Sequence, residues 1–267
     1  MPWSANAGRS GMTFLFEKLW PERWLLIMEL KILNAGDCAL VAQFGDAIDP
    51  AIYAYVKGLK KALTEKKLEG IVEMVPTYRS LMIHYDPFLL SSQRLADWVE
   101  KLAAEGGADE GEPRKTITIP VVFGGQWGPD LDYVAEYHHL TPEQVIELTC
   151  SRDVLVYMLG FTPGNPYIGG MPEELVTPRL SSPRLKIPAG SVGIGGQQLG
   201  VYAVDSPGGY QLLGRTPLRL YDPARGSKAV LLEAGEYIRF RRIDETEYKK
   251  IEQEIADGTY NYDIRIK

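Results

Sequence analysis

Regular alternation of apolar and polar residues begins at Leu30: positions 30–33 and 38–44 read as strands on either side of an Asn34-Ala35-Gly36-Asp37 turn. Asp49-Pro50 is an N-cap followed by a first-turn proline, and Ile52, Val56, Leu59 and Leu63 then recur at helical spacing. Strands are expected over 71–75 and 79–85, with Pro76 between them. Ser91 or Ser92 then caps a second helix that buries Leu95, Trp98, Val99 and Leu102. The order β-β-α-β-β-α is that of an α+β layer, assigned to 28–104.

The periodicity lapses over 105–114 (EGGADEGEPR), an acidic stretch with glycines and a proline that reads as a linker. Beyond it, 115–123 alternates as a strand. A helical excursion runs to Glu147, with a capping box at Thr141-Pro142-Glu143-Gln144. From 153 to 243 the chain breaks into short β-rich runs at 154–161, 191–194, 200–204, 211–213, 218–221, 229–232 and 237–241, divided by glycine and proline. Many short strands with such punctuation predict a barrel over 115–243. Asp244-Glu245-Thr246-Glu247 caps a last helix with Tyr248, Ile251 and Ile255 on its inner face, and 244–267 is read as a peripheral helix and tail.

Residues 1–27 precede this pattern. Their aromatic and aliphatic run from Met12 is interrupted by Glu17, Lys18, Glu22 and Arg23 well short of a membrane-spanning length, so they read as an appendage to a domain that opens at Met28. The full chain of 267 residues is long enough for two cores. A formal net charge of −6 argues against nucleic acid or an anionic membrane as partner, since both need clustered Lys and Arg. Cys38 and Cys150 lie far apart and belong to no CxxC or Cys/His cluster, which suits the reducing cytoplasm and indicates neither a disulfide framework nor a metal site.

No GxxxxGK[ST] loop occurs, and Gly193-Ile194-Gly195-Gly196-Gln197 fails the dinucleotide fingerprint because Gln198 stands where its third glycine belongs. Ala189-Gly190-Ser191-Val192-Gly193 lacks the strand-to-helix context of a nucleophile elbow, which makes Ser191 a turn or ligand donor. No two of His84, His138 and His139 share metal-ligand geometry, and His84, inside a strand, keeps only a minor candidacy as a proton shuttle. No catalytic residue is assigned. The special-backbone residues concentrate instead in three segments, 160–170, 188–197 and 205–217. Ligand candidates are Phe161 and Tyr167 from the first, Ser191 and Gln197 from the second, and Ser206, Gln211, Arg215 and Thr216 from the third. Backbone N–H groups there suit a carboxylate and an amide, with Arg215 as the best anion anchor or, equally, as an arginine tying a turn to a nearby carboxylate.

These segments, with Tyr78-Arg79-Ser80-Leu81 and Gly124-Gly125-Gln126-Trp127-Gly128-Pro129-Asp130-Leu131, resemble the allophanate hydrolase subunit 1 family from about Met28 to Ile243, PAGSVGIGGQ and SPGGYQLLGRTP being its most specific parts. The chain departs from that pattern at Asn165, where relatives carry an aromatic, near Thr149, where they carry a His, and at Asp205 and Tyr210, which replace Glu and Trp. The resemblance implies an α+β domain followed by a cyclophilin-like β-barrel. It also implies the role of the B subunit in an ATP-dependent 5-oxoprolinase, which cleaves 5-oxo-L-proline to L-glutamate only with sister A and C subunits. ATP, and any magnesium that accompanies it, would then belong to the assembled complex. Inhibition of a histidine kinase by docking on its helical bundle, and metabolism of urea or allophanate, are the alternatives the same family offers.

Overall fold

The computed structural model describes residues 30–105 and 114–266, and the chain divides into two compact units, 1–109 and 110–267. The appendage read over 1–27, and all of the linker except its end residues Glu105 and Arg114, lie outside the described residues.

In the first unit β1 (Leu30–Asn34), β2 (Ala39–Phe44), β3 (Ile71–Pro76) and β4 (Ser80–Tyr85) form an antiparallel sheet in the order β1-β2-β4-β3. Alternate residues of the two central strands, Leu40, Ala42 and Phe44 on β2 and Leu81, Ile83 and Tyr85 on β4, are buried. Two helices cover that face. Helix α1 (Pro50–Lys66) starts where the Asp49 carboxylate accepts from the Ala51 N–H at 2.7 Å, and it buries Ile52, Val56, Leu59 and Leu63. Helix α2 (Ser92–Glu105), capped by Ser91 through the Arg94 N–H, buries Leu95 and Val99. Trp98 and Leu102, expected in the core, are only half-buried. The ammonium groups of Lys66 and Lys101 sit 4.6 and 5.2 Å from the Trp98 ring, so its face serves the two cations instead.

In the second unit seven strands close into a barrel: β12 (Gln211–Arg215), β9 (Ser191–Gly195), β10 (Gln198–Val201), β7 (Pro166–Gly169), β6 (Val154–Leu159), β13 (Tyr237–Arg242), β5 (Lys115–Phe123) and back to β12. Closure is made by Val122 and Phe123 at the end of β5, opposite Arg215 and Gly214. The β5–β13 pair is parallel, whereas every other pairing in the ring is antiparallel. Inside lie Ile117, Ile119, Val156, Ile168, Val192, Ile194, Leu213 and Phe240, all essentially inaccessible. Helices α3 (Leu131–Tyr137) and α4 (Pro142–Cys150) add Val134 and Val145 to the same core. The reciprocal capping box at Thr141 and Gln144 is formed.

The fold class is as expected, an α+β unit followed by a closed barrel, but several elements differ. Runs 218–221 and 229–232 are not strands. They meet in a single Tyr221–Val230 bridge around a 3-10 turn at Pro223–Lys228, and their apolar residues Leu218, Leu220 and Leu232 fill the core without joining the ladder. Three strands are hidden by their own glycines, prolines and charges: β7, β8 (Arg184–Ile187) and β11 (Ser206–Gly208), the last two pairing as a separate ribbon. Nor is the C-terminal segment peripheral. Helix α5 (Glu245–Ala256) puts Tyr248 and Ile251 into the barrel core, with Tyr248 4.4 Å from the Trp127 ring. After it, β14 (Ile264–Ile266) pairs with the first residues of β5. Among the described residues no helix is long and apolar enough to cross a membrane.

Candidate ligand-binding cleft

The hairpin of β9 and β10 is short of side chains for a local reason. A Cβ at Gly195 would lie 2.4 Å from the Tyr210 ring and one at Gly200 would lie 2.9 Å from it, while a Cβ at Gly193 would lie 2.6 Å from the Gln211 carbonyl. Atoms do not approach so closely, so these glycines leave the shelf on which Tyr210 rests. Gly208 does the same for Tyr202, whose hydroxyl occupies the space a Cβ would take. The two tyrosines meet edge to face, with centroids 5.8 Å apart and planes at 76°, a favoured aromatic arrangement.

Around this pair a cleft of about 130 Å³ opens, walled by Phe161, Asn165 and Tyr167 on one side and by residues 207–209 and Arg179 on the other. Phe161 is 66% exposed and adopts φ 69°, a left-handed conformation unusual for a side chain of its size. The loop that holds it is short. Gly160 N–H donates to the Asn165 carbonyl, and Asn165 N–H donates to the Thr162 carbonyl. The Arg179 guanidinium lies 5.1 Å from the centre of the Tyr210 ring and donates to Gln198 Oε1 at 3.1 Å, an oxygen that also accepts from the Tyr210 hydroxyl at 3.0 Å. Burial pushes the phenols of Tyr202 and Tyr210 above the ordinary tyrosine value, so both are neutral hydroxyls near pH 7.

A larger open groove of about 520 Å³ lies between residues 124–127 and 242–247, but Trp127 and its charged side chains are engaged with one another or with near neighbours. Trp127 Nε1 donates to Glu245 at 2.9 Å, Arg242 forks both oxygens of Glu143 at 2.7 Å, and Glu247 accepts from Arg241 at 2.7 Å. The tyrosine cleft, with its cation held against a neutral amide, is therefore the stronger ligand site.

All residues that line this cleft fall inside a match to the family model described as carboxyltransferase domain, subdomain C and D, which spans residues 30–232. The chain belongs to this carboxyltransferase-domain family. It is 39% identical over 239 residues to the 5-oxoprolinase B subunit of Bacillus subtilis (strain 168), covering 86% of this chain and 99% of that protein. It is 42% identical over 209 residues to the 5-oxoprolinase B subunit of Escherichia coli O157:H7, covering 77% and 92%. Among solved structures, the urea amidolyase of K. lactis superposes with a TM-score of 0.76 at 22% identity, over 91% of this chain and 16% of that one, a likeness of fold.

In this carboxyltransferase-domain chain the cleft gathers only some of the residues expected from sequence. Phe161 and Tyr167 line it. Ser206 starts β11 one residue before Pro207; its hydroxyl is buried without a hydrogen-bond partner among the described residues, and it does not form the wall. Gln197 is exposed in the β9–β10 turn, outside the cleft. Ser191, Arg215 and Thr216 are placed elsewhere, in the seam where β9 meets β12. Ser191 pairs with Arg215, Arg215 Nε donates to the Ala189 carbonyl at 2.9 Å, and Thr216 Oγ1 accepts from the Leu218 N–H at 3.2 Å. Arg215 is thus a structural tie, to a backbone carbonyl in place of the expected carboxylate. His84 lies on β4 of the first unit, opposite Ala39 and Glu73. Sequence reasoning missed Arg179, Tyr202 and the structural use of Tyr210. The spacing of Gly193, Gly195 and Gly200 around a later aromatic was the one legible signal, and it points to a ring packed by the protein itself, not to a ligand approaching bare backbone.

Proposed function

We propose that this chain acts as the B subunit of a 5-oxoprolinase, contributing the tyrosine cleft that receives 5-oxo-L-proline while sister A and C subunits supply the rest of the catalytic assembly. The observation that carries this reading is the match to the 5-oxoprolinase B subunit of Bacillus subtilis (strain 168), 99% of whose length is covered at 39% identity. A cleft of about 130 Å³ suits one small ring; sites that enclose drug-sized ligands run to about 300–1,000 Å³. By the same measure this cleft does not fit ATP, and the sequence has no GxxxxGK[ST] phosphate-binding loop. The nucleotide, with any magnesium it brings, is assigned to the assembled complex. What this chain's residues do is bind and orient. The rings of Tyr202 and Tyr210 present flat apolar surface to a planar lactam, and hold it out of bulk water.

The test is reconstitution. The purified chain is expected to give no 5-oxoproline-dependent ATP turnover alone and clear turnover with the A and C subunits. Turnover by the chain alone overturns the reading as one part of a larger enzyme. No turnover in the complete mixture, with urea or allophanate consumed instead or a histidine kinase inhibited, replaces it with one of the family's other roles.

A further inference from the structure

We propose that Arg179 recognises the carboxylate of the small cyclic acid bound in the tyrosine cleft, and that Gln211 is a positioning residue that holds Arg179 in place from behind. Among the described residues Arg179 is the one charged group lining the cleft, and no carboxylate lines it. No acidic side chain among them pairs with Arg179; its guanidinium donates to the neutral oxygen of Gln198. A guanidinium carries five N–H donors in a planar fork that matches a carboxylate, so donors remain for a ligand. By contrast Arg184, the nearby cation that looks equivalent in sequence, is spent on Asp130 at 2.7 Å.

The backbone that carries Arg179 is fastened on both sides. Leu180 N–H donates to the Gly209 carbonyl at 2.7 Å, and the buried Gln211 side chain donates to the Pro178 carbonyl at 3.0 Å. Two residues before Arg179, the Thr177 carbonyl accepts from the Gly196 N–H at 2.7 Å, which stitches the same segment to the β9–β10 turn. A flexible arginine stacked on Tyr210 and rooted in a clamped segment is pre-organised, which keeps the entropy lost on binding small. The ring of the ligand then lies against the Tyr202–Tyr210 pair with its carboxylate toward Arg179, so the cleft selects a planar ring bearing an acid over the same ring without one.

The choice of 5-oxo-L-proline as that acid rests on the proposed function. Its recognition is tested by calorimetry on the full-length chain with 5-oxo-L-proline and with 2-pyrrolidinone, the same lactam lacking the carboxylate. The acid is expected to bind at least about 10-fold more tightly. Arg179→Gln should reduce affinity for the acid by about 10-fold or more, the scale of a charge-assisted hydrogen bond, and leave 2-pyrrolidinone unaffected. Arg179→Lys should fall between. Gln211→Met, which fills the space without the amide, should weaken the acid selectively, a bias that loss of fold alone does not produce. Wild-type affinity in Arg179→Gln, equal losses for both rings, or binding of neither ring to the wild-type chain overturns the inference. Turnover by the reconstituted complex without such binding faults this inference alone, whereas selective binding without turnover faults the 5-oxoprolinase reading alone.

Discussion

Tyr210 occupies its place because Gly195 and Gly200 have no side chains, and the packing there leaves nothing to collapse into. Gly195→Ala would set a methyl 2.4 Å from the Tyr210 ring, which must then swing into the cleft. Overpacking of this kind costs about 1–3 kcal/mol. At roughly 2–4 °C per kcal/mol for a unit of this size, thermal unfolding should show a clear loss, and the tyrosine near-ultraviolet dichroism should change with it. A variant with wild-type melting and dichroism would mean that Tyr210 has another seat. Arg215 is the opposite case, a residue whose charge suggests chemistry and whose contacts are internal. Arg215→Lys removes the Nε donor to the Ala189 carbonyl and should lower stability by about 0.5–1.5 kcal/mol, while substrate affinity in the assembled complex stays as in the wild type. Normal melting with a raised KM would return Arg215 to the ligand set.

Among the elements, β5 carries the most. Of its nine residues, Thr116 to Val121 pair with β13 along one edge, and the other edge is shared between β14 at the start and β12 at the end. The C-terminal strand therefore completes an edge that the barrel closure leaves open. Thr118 anchors it: its hydroxyl donates to Asp263 at 2.6 Å, its N–H donates to the Asp263 carbonyl at 2.9 Å, and it accepts from Arg265 at 3.1 Å. Truncation after Asn261 removes these bonds together with the β14 ladder. It should destabilise the barrel by on the order of 2 kcal/mol and uncover a strand edge that promotes association. Denaturant unfolding and light scattering measure the two effects, and an unchanged midpoint would show that β14 adds nothing to the barrel.

At the scale of the whole molecule, buried phenols tie stability to alkaline pH. Tyr202, Tyr210, Tyr248 and Tyr260, all in the second unit, have phenols pushed above the ordinary tyrosine value, in each case first by burial. Because folding favours their neutral form, the stability they contribute is complete below the unfolded value of about 10 and is lost as the pH rises through their higher folded values. Denaturant midpoints of the full chain should therefore hold steady to about pH 10 and then fall. A Tyr202→Phe, Tyr210→Phe double variant should fall less steeply. A midpoint that declines equally in wild type and variant above pH 10 would place the alkaline sensitivity elsewhere.

Periodicity and punctuation in the sequence determined the α+β unit nearly residue by residue, because its helices carry explicit caps at Asp49 and Ser91 and its central strands alternate with one buried face. They determined that the second unit is a barrel for a similar reason: short apolar runs between glycines have few other ways to satisfy their backbones. Only the tertiary structure decided which runs became strands. Leu218, Leu220 and Leu232 are as apolar as any ladder residue yet serve the core from loops, and the charged or proline-bearing β8 and β11 pair because they face each other. The site followed the same division. Glycine spacing marked the β9–β10 hairpin as special, since a missing Cβ is visible in sequence, but what fills the gap is a contact across 10–15 residues of chain that no local pattern encodes. Arg179, Arg184 and Arg215 look alike along the chain. Their roles are set by what lies opposite each guanidinium in space: a neutral amide beside a tyrosine ring, the Asp130 carboxylate, and the Ala189 carbonyl.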